Sequence, residues 1–192
     1  MRNINENGRS MVEMLGVLAI IGVLSAGGLA GYSKAMFKHK LNTTMDQLTM
    51  LVTNIRTMYG TQDNYENLSA AQAIKLGIIP AAMKNTASTL VNPFKGVVQI
   101  GVDKSNANAP ANTAFTVTYS GLPSEACIAL ATADWGSGAG SGFIGVVAAS
   151  SGNANVSSKY TGTTTEGKPL TVAEAITACG DANTSSVALK FY

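Results

Sequence analysis

"NENGRSMVEMLGVLAIIGVLSAGGLAGYSKAM", residues 5–36, decides how this 192-residue chain is read. Three readings compete: a secretory signal that is removed, a membrane anchor that stays, and a segment with a use for its one carboxylate, Glu13. Residues 14–33 carry no charge. Twenty helical residues rise about 30 Å, the thickness of a bilayer hydrocarbon core. A secretory signal has a shorter apolar core, followed by a small-residue cleavage site and polar sequence. Here helical periodicity continues instead. Leu41, Met45, Leu48, Leu51 or Val52, Ile55, and Met58 or Tyr59 recur at steps of three and four, which is one apolar face. No proline interrupts residues 9–60. The expectation is one helix of about 50 residues, apolar all round in its first half and amphipathic in its second. Its glycines, at 16, 22, 27, 28 and 31, each cost up to about 1 kcal/mol relative to alanine.

Charge supports export. Arg2 and Arg9 precede the apolar run, so the positive-inside rule holds the N-terminus in the cytoplasm and sends the remainder outward. Only 12% of residues are charged, about half the usual share of a soluble domain. A net charge of +2 argues against nucleic acid, whose binding needs clustered Lys and Arg against phosphates. The one basic cluster, Lys34, Lys38, His39 and Lys40, follows the apolar run directly. It reads as a solvated helix face or a contact to lipid headgroups. Beyond the long helix about 130 residues remain, enough for one compact domain.

Glu13 is the anomaly, because a carboxylate near a membrane segment is costly unless it is paired. Its spacing is informative. Gly8 is followed by Arg9-Ser10-Met11-Val12-Glu13 and then by the apolar run containing "AIIG". This resembles the type IV prepilin signature over the first 45 or so residues. The resemblance implies that a prepilin peptidase cuts between Gly8 and Arg9. Arg9 then becomes the mature N-terminus and Glu13 the fifth mature residue. Family members commonly begin with an N-methylated Phe, Met or Leu. Arg9 departs from that pattern, so the resemblance carries cleavage further than it carries methylation. It also implies that Glu13 neutralises the terminal amine of a neighbouring subunit as that subunit docks into a filament. A charge missing its partner in an apolar core is heavily penalised, so such a pair would fix the axial register.

Downstream, residues 68–83 begin as a short helix with Ser69 as a possible cap, ended by Gly77 and Pro80. Residues 88–102 give a turn at Asn92-Pro93 and then a strand over 97–102. Residues 113–121 alternate as a second strand, and the two form a candidate hairpin. Residues 122–135 read as a helix with Pro123 in its first turn and Cys127, Leu130 and Ala131 on one face. "GSGAGSG" (136–142) reads as a flexible loop, 143–150 as a strand, and 151–169 as polar loop with at most one short strand. Residues 170–180 read as a helix ended by Gly180, and 185–192 as a terminal strand. The order of elements, "NPFKGVVQIGV", "GLPSEACIAL" and the cysteine-bounded C-terminal region resemble the globular domain of type IVb pilins, including the PilS-like pilins. The fold class implied is α+β, the type IV pilin fold. A long N-terminal helix carries an antiparallel β-sheet on its C-terminal half, with a disulfide-bounded region at the C-terminus. The organisation implied is a leader (1–8), a helix (9–60, with a membrane or filament-core half to 33 and an amphipathic half from 34) and a globular domain (61–192).

The two cysteines, Cys127 and Cys179, lie in no short metal-ligand spacing. In an exported protein an even count points to one disulfide; two buried free thiols are the alternative. A loop of this length would give the bond roughly 4 kcal/mol in the chain-entropy picture. Enzyme chemistry has little support. His39 is the one histidine and sits among lysines. "GSGAGSG" lacks the lysine and context of a phosphate-binding loop. Asp103, Asp134 and Asp181 are scattered without a D-x-D pattern, so no metal and no cofactor are expected. Trp135 and Tyr160 suit packing better than surface adhesion.

The function implied is a structural subunit of a type IV pilus that polymerises through its N-terminal helix. Its expected partners are copies of itself, the prepilin peptidase, the pilus assembly machinery and the inner membrane. It would cross that membrane once, N-terminus cytoplasmic, before becoming part of an extracellular pilus. Adhesion, conjugation and motility are all roles such filaments take. A minor pilin or a type II secretion pseudopilin is the alternative.

Overall fold

The computed structural model describes residues 6–136, 142–156 and 168–192, with residues 6–10 described by their backbone alone. The chain divides between Lys40 and Leu41 into two compact units. Helix α1 spans Glu6–Tyr59, 54 residues.

In the larger unit, α1 buries Leu48, Leu51, Val52, Ile55 and Tyr59, while Met58 is 43% exposed. The period of 3.6 explains this face. Leu48, Leu51, Val52, Ile55 and Tyr59 form the i, i+3, i+4 stripe, and Met58 lies off it. Of the paired alternatives left by the sequence, both Leu51 and Val52 are inside, and Tyr59 is inside in place of Met58. The opposite face is threonine-rich. Thr49, Thr53 and Thr57 each donate the side-chain hydroxyl to the carbonyl four residues back, at 3.0, 2.8 and 2.8 Å.

Helix α2 (Ala70–Lys75) opens at Ser69, whose hydroxyl accepts from Gln72 N. A single 3₁₀ turn follows at Ala81–Met83. The sheet contains β1 (Leu90–Val91), β2 (Val97–Asp103), β3 (Ala114–Leu122), β4 (Phe143–Ala149) and β5 (Ser185–Phe191). Its order is β1-β2-β3-β5-β4, and every neighbouring pair is antiparallel. The expected hairpin is the β2–β3 pair, with Val98 opposite Tyr119 and Val102 opposite Phe115. The C-terminal strand β5 lies between β3 and β4, and all seven of its residues are buried. Strand β1 was not foreseen. It is two residues long and precedes the turn that leads into β2.

That turn is held by one side chain. Asn92 Oδ1 accepts from Phe94 N and Gly96 N at 2.9 and 3.0 Å, and its Nδ2 donates to Ser120 O at 2.9 Å. A Cβ on Gly96 would lie 1.7 Å from Ser120 O, so the backbones of turn and strand approach closely only because residue 96 is glycine.

Helix α3 spans Ser124–Thr132, shorter at both ends than the expected 122–135, and Pro123 stands at its N-cap instead of within its first turn. Helix α4 (Val172–Cys179) starts in a capping box of Thr171 and Glu174. It stops at Gly180, whose φ of 57° favours glycine. The Cys127–Cys179 disulfide joins α3 to α4, with Cα atoms 5.9 Å apart. Around it, the Ser124 hydroxyl donates to Gly180 O, Leu170 N donates to Ala131 O at 2.9 Å, and the Ser185 hydroxyl donates to Cys179 O at 2.9 Å. A second small core, built from Ala114, Ile144, Ala154, Val156 and Ala188, lines one side of the sheet. The interior of the expected loop at 136–142, and most of 157–169 with Tyr160, lie outside the described residues.

Candidate assembly site

Among the described residues, the uncovered surfaces are where partners could bind. The first is the N-terminal part of α1. Met11, Leu15, Ile20, Leu24 and Leu29 are each more than 60% exposed, and the segment is long and apolar enough to cross a membrane. Burying such a side chain is worth about 1.5–3 kcal/mol. A row of them in water is therefore strongly unfavourable and calls for lipid or for other helices. The α-helix continues through all five glycines, and a Cβ at any of them would meet nothing within 4 Å.

Gly8 and Arg9 lie in helical backbone near the start of α1, and Glu13 follows one turn after Arg9 as an exposed residue. The peptide bond expected to be cut and the carboxylate expected to act in assembly are thus on one continuous helix. Cys127 and Cys179 are fully buried and bonded to each other.

The acids considered for a metal are not brought together. Asp103 Oδ2 lies 2.9 Å from Lys190 Nζ, Asp134 accepts from Gly136 N at 2.9 Å, and Asp181 is exposed in the loop after α4. Among the described residues no group of three or more His, Cys, Asp or Glu could hold a metal ion. His39 is exposed on α1. Trp135 donates its indole N–H to Leu130 O at 2.9 Å, a packing role.

Two features escaped the sequence reading. Arg56 anchors the far end of the chain: its Nε donates to Tyr192 O at 3.0 Å, and its guanidinium lies 5.4 Å from the centre of the Phe191 ring. Partial burial lowers the Arg56 pKa, with nearby Tyr65 opposing that shift. Burial raises the Tyr65 pKa, with Arg56 opposing. From there an aromatic chain runs through the core, with ring centres at 5.5 Å (Tyr59–Tyr65), 4.9 Å (Tyr65–Phe115) and 5.6 Å (Phe115–Phe191). The second feature is a cleft of about 220 Å³ lined by Met58, Tyr59, Gln62, Glu66, Gln72 and Leu76. A single arginine in a helical pattern signals neither partner, because both contacts join residues far apart in sequence.

A long N-terminal helix, an antiparallel sheet with the C-terminal strand inside it, and a disulfide-tied C-terminal region define the type IV pilin fold. Two solved structures share it. One is TcpA, a type IV pilin from Vibrio cholerae El Tor biotype (TM-score 0.54, 19% identity, covering 80% of this chain and 99% of that one). The other is a type IVb pilin from Salmonella typhi (TM-score 0.53, 24% identity, covering 77% and 97%). The bundlin family model matches residues 34–191, and the chain belongs to that family. A curated relative is the major structural subunit of the bundle-forming pilus of Escherichia coli O111:H-, 28% identical over 189 residues, which are 97% of this chain and 94% of the relative. The chain is accordingly a structural pilin and not an enzyme.

Proposed function

We propose that this chain is the major subunit of a type IV pilus of the type IVb class, and that it polymerises through α1. The observation that carries this reading is the exposed apolar stretch of α1 in a member of the bundlin family. A subunit that leaves some twenty apolar residues uncovered needs other copies to cover them.

The order of events follows from the chemistry of the segment. Residues 1–8 act as a leader. With α1 in the inner membrane, N-terminus cytoplasmic, a prepilin peptidase cuts between Gly8 and Arg9 and frees the Arg9 amine. Residues 9–33 serve as membrane anchor first and filament core later. Residues 34–60 carry the globular domain, residues 61–192, outside. Lipid and filament core are both apolar, so the helix exchanges one for the other at modest cost. Glu13 gives the exchange its specificity, because its carboxylate pairs with the terminal amine of a neighbouring copy at one axial offset only. Placing either charge in the core without its partner costs about 3–5 kcal/mol. The assembly machinery supplies the work of extraction, and the product is an extracellular filament.

The test is Glu13→Ala in the full chain. Membrane insertion should remain intact and filaments, counted by electron microscopy of sheared cells, should be lost or sharply reduced. Filaments in normal number would sink the pairing mechanism.

A further inference from the structure

The apolar part of α1 ends in an unusual group of residues. Residues 32–40 contain Tyr32, three lysines and the one histidine of the chain. Tyr32 is 65% exposed, Lys34, Lys38 and His39 are exposed, and Lys40 is half-buried. At 100° per residue, Lys34 and Lys38 share one face, Tyr32 and His39 share a second, and Lys40 lies on a third. The basic groups therefore surround the helix instead of forming one stripe.

Their depth is informative. The uncharged run 14–33 matches the hydrocarbon thickness, so Lys34 starts where the hydrocarbon ends. From Lys34 to Lys40 the helix rises about 9 Å, close to the polar layer of one leaflet, roughly 5–8 Å. Lysine stems are long enough to adjust the ammonium within that layer, and tyrosine favours the same depth. Two further facts weigh against an indifferent solvated face. No Asp or Glu occurs between Glu13 and Asp46, so the helix itself offers no carboxylate within a turn of Lys34 or Lys38. The exported side of a span is also the side that the positive-inside rule leaves poor in lysine. Lysines concentrated there run against that bias, and at this depth they lie within reach of lipid phosphates.

We propose that Lys34 and Lys38, seated by Tyr32 at the membrane interface, bind the headgroups of anionic phospholipids in the outward-facing leaflet. Each ammonium donates to phosphodiester oxygens of a lipid with net negative charge, of the phosphatidylglycerol kind. This rests on the membrane stage proposed above. It adds that the subunit waiting for assembly selects its lipid neighbours, and that extraction breaks these contacts.

The experiment reconstitutes the full chain into vesicles. Flotation with phosphatidylcholine vesicles tests the membrane stage by itself; a chain that fails to float sinks that stage and this inference with it. For a chain that floats, electron paramagnetic resonance compares the motionally restricted fraction of spin-labelled phosphatidylglycerol and spin-labelled phosphatidylcholine. The wild-type chain should prefer phosphatidylglycerol several-fold, by up to about five-fold for each lysine. Lys34→Gln with Lys38→Gln should bring the preference close to unity while flotation persists, and Lys34→Arg with Lys38→Arg should keep it. No preference in the wild type, or a preference kept by the double glutamine variant, overturns the proposal. So does a preference lost only in Arg9→Gln, which would place the anion contact at the other leaflet. Inorganic phosphate at matched ionic strength should leave the preference unchanged. Its abolition by phosphate would mean a site for a free anion and would also overturn the proposal.

Discussion

Lys190 Nζ lies 2.9 Å from Asp103 Oδ2, joining β5 to the end of β2 across the intervening β3. The lysine side chain is 2% exposed and the aspartate side chain 18%. By strand alternation Lys190 shares a sheet face with Ala188 and Ser186. On that face Ala188 belongs to the small core with Ala154 and Val156, and the Ser186 hydroxyl accepts from Ala154 N at 2.7 Å. A cation is thus buried in the sheet and meets a carboxylate two strands away.

Removing one partner of such a pair is worse than removing both, because the survivor remains a buried charge. Asp103→Asn should destabilise the globular domain by about 3 kcal/mol. Lys190→Met with Asp103→Leu should recover most of that loss. Thermal unfolding of the two variants against wild type checks the asymmetry. Equal losses would mean that solvent compensates Lys190.

The Cys127–Cys179 bond ties α3 to α4, and both cysteines are fully buried. Cys127→Ser with Cys179→Ser should cost about 2–5 kcal/mol. The native protein should also resist reductant until denaturant exposes the bond. Thiol labelling after reduction, with and without urea, measures this. Ready labelling of the folded protein would contradict the burial.

The Tyr119 hydroxyl is buried, with no hydrogen-bond partner among the described residues. Burial pushes its pKa well above the ordinary tyrosine value. The folded state therefore keeps a proton that the unfolded chain gives up near pH 10. Stability from this group is complete below about pH 10 and falls as pH rises further. Tyr119→Phe removes an unsatisfied polar group. It should be neutral or stabilising by about 1 kcal/mol at pH 7, and it should flatten the loss of stability between about pH 10 and 12. A residual slope of the same sign should persist, because burial raises the Tyr65 pKa as well. Urea midpoints across that pH range decide the matter. A loss of stability in Tyr119→Phe at pH 7 would show that the hydroxyl has a partner after all.

What was legible in the sequence follows the range of the forces involved. The long helix declares itself through local periodicity, so α1 and the face containing Leu48 and Ile55 could be read in advance. The stop at Gly180 is local too, and α4 appeared within two residues of its expected bounds; its Thr171–Glu174 capping box, equally local, was not read. The β2–β3 hairpin joins neighbours in the chain and was also visible. The place of β5 between β3 and β4 was not, because β5 reads only as a short apolar strand and nothing near it names its partners. For the same reason Lys190 gave no hint of Asp103, and Arg56 gave none of Phe191 and Tyr192. The choice of Tyr59 over Met58 as the inward residue also needed the packed partner, here the ring of Tyr65.

In the assembly proposed above, α1 becomes a filament core only after the bond between Gly8 and Arg9 is cut. Mass spectrometry of the subunit from purified surface fibres tests it most directly. The subunit should begin at Arg9, lack residues 1–8 and be lighter by the two hydrogens lost in forming the Cys127–Cys179 bond. Fibres built from a chain that still begins at Met1 would contradict it.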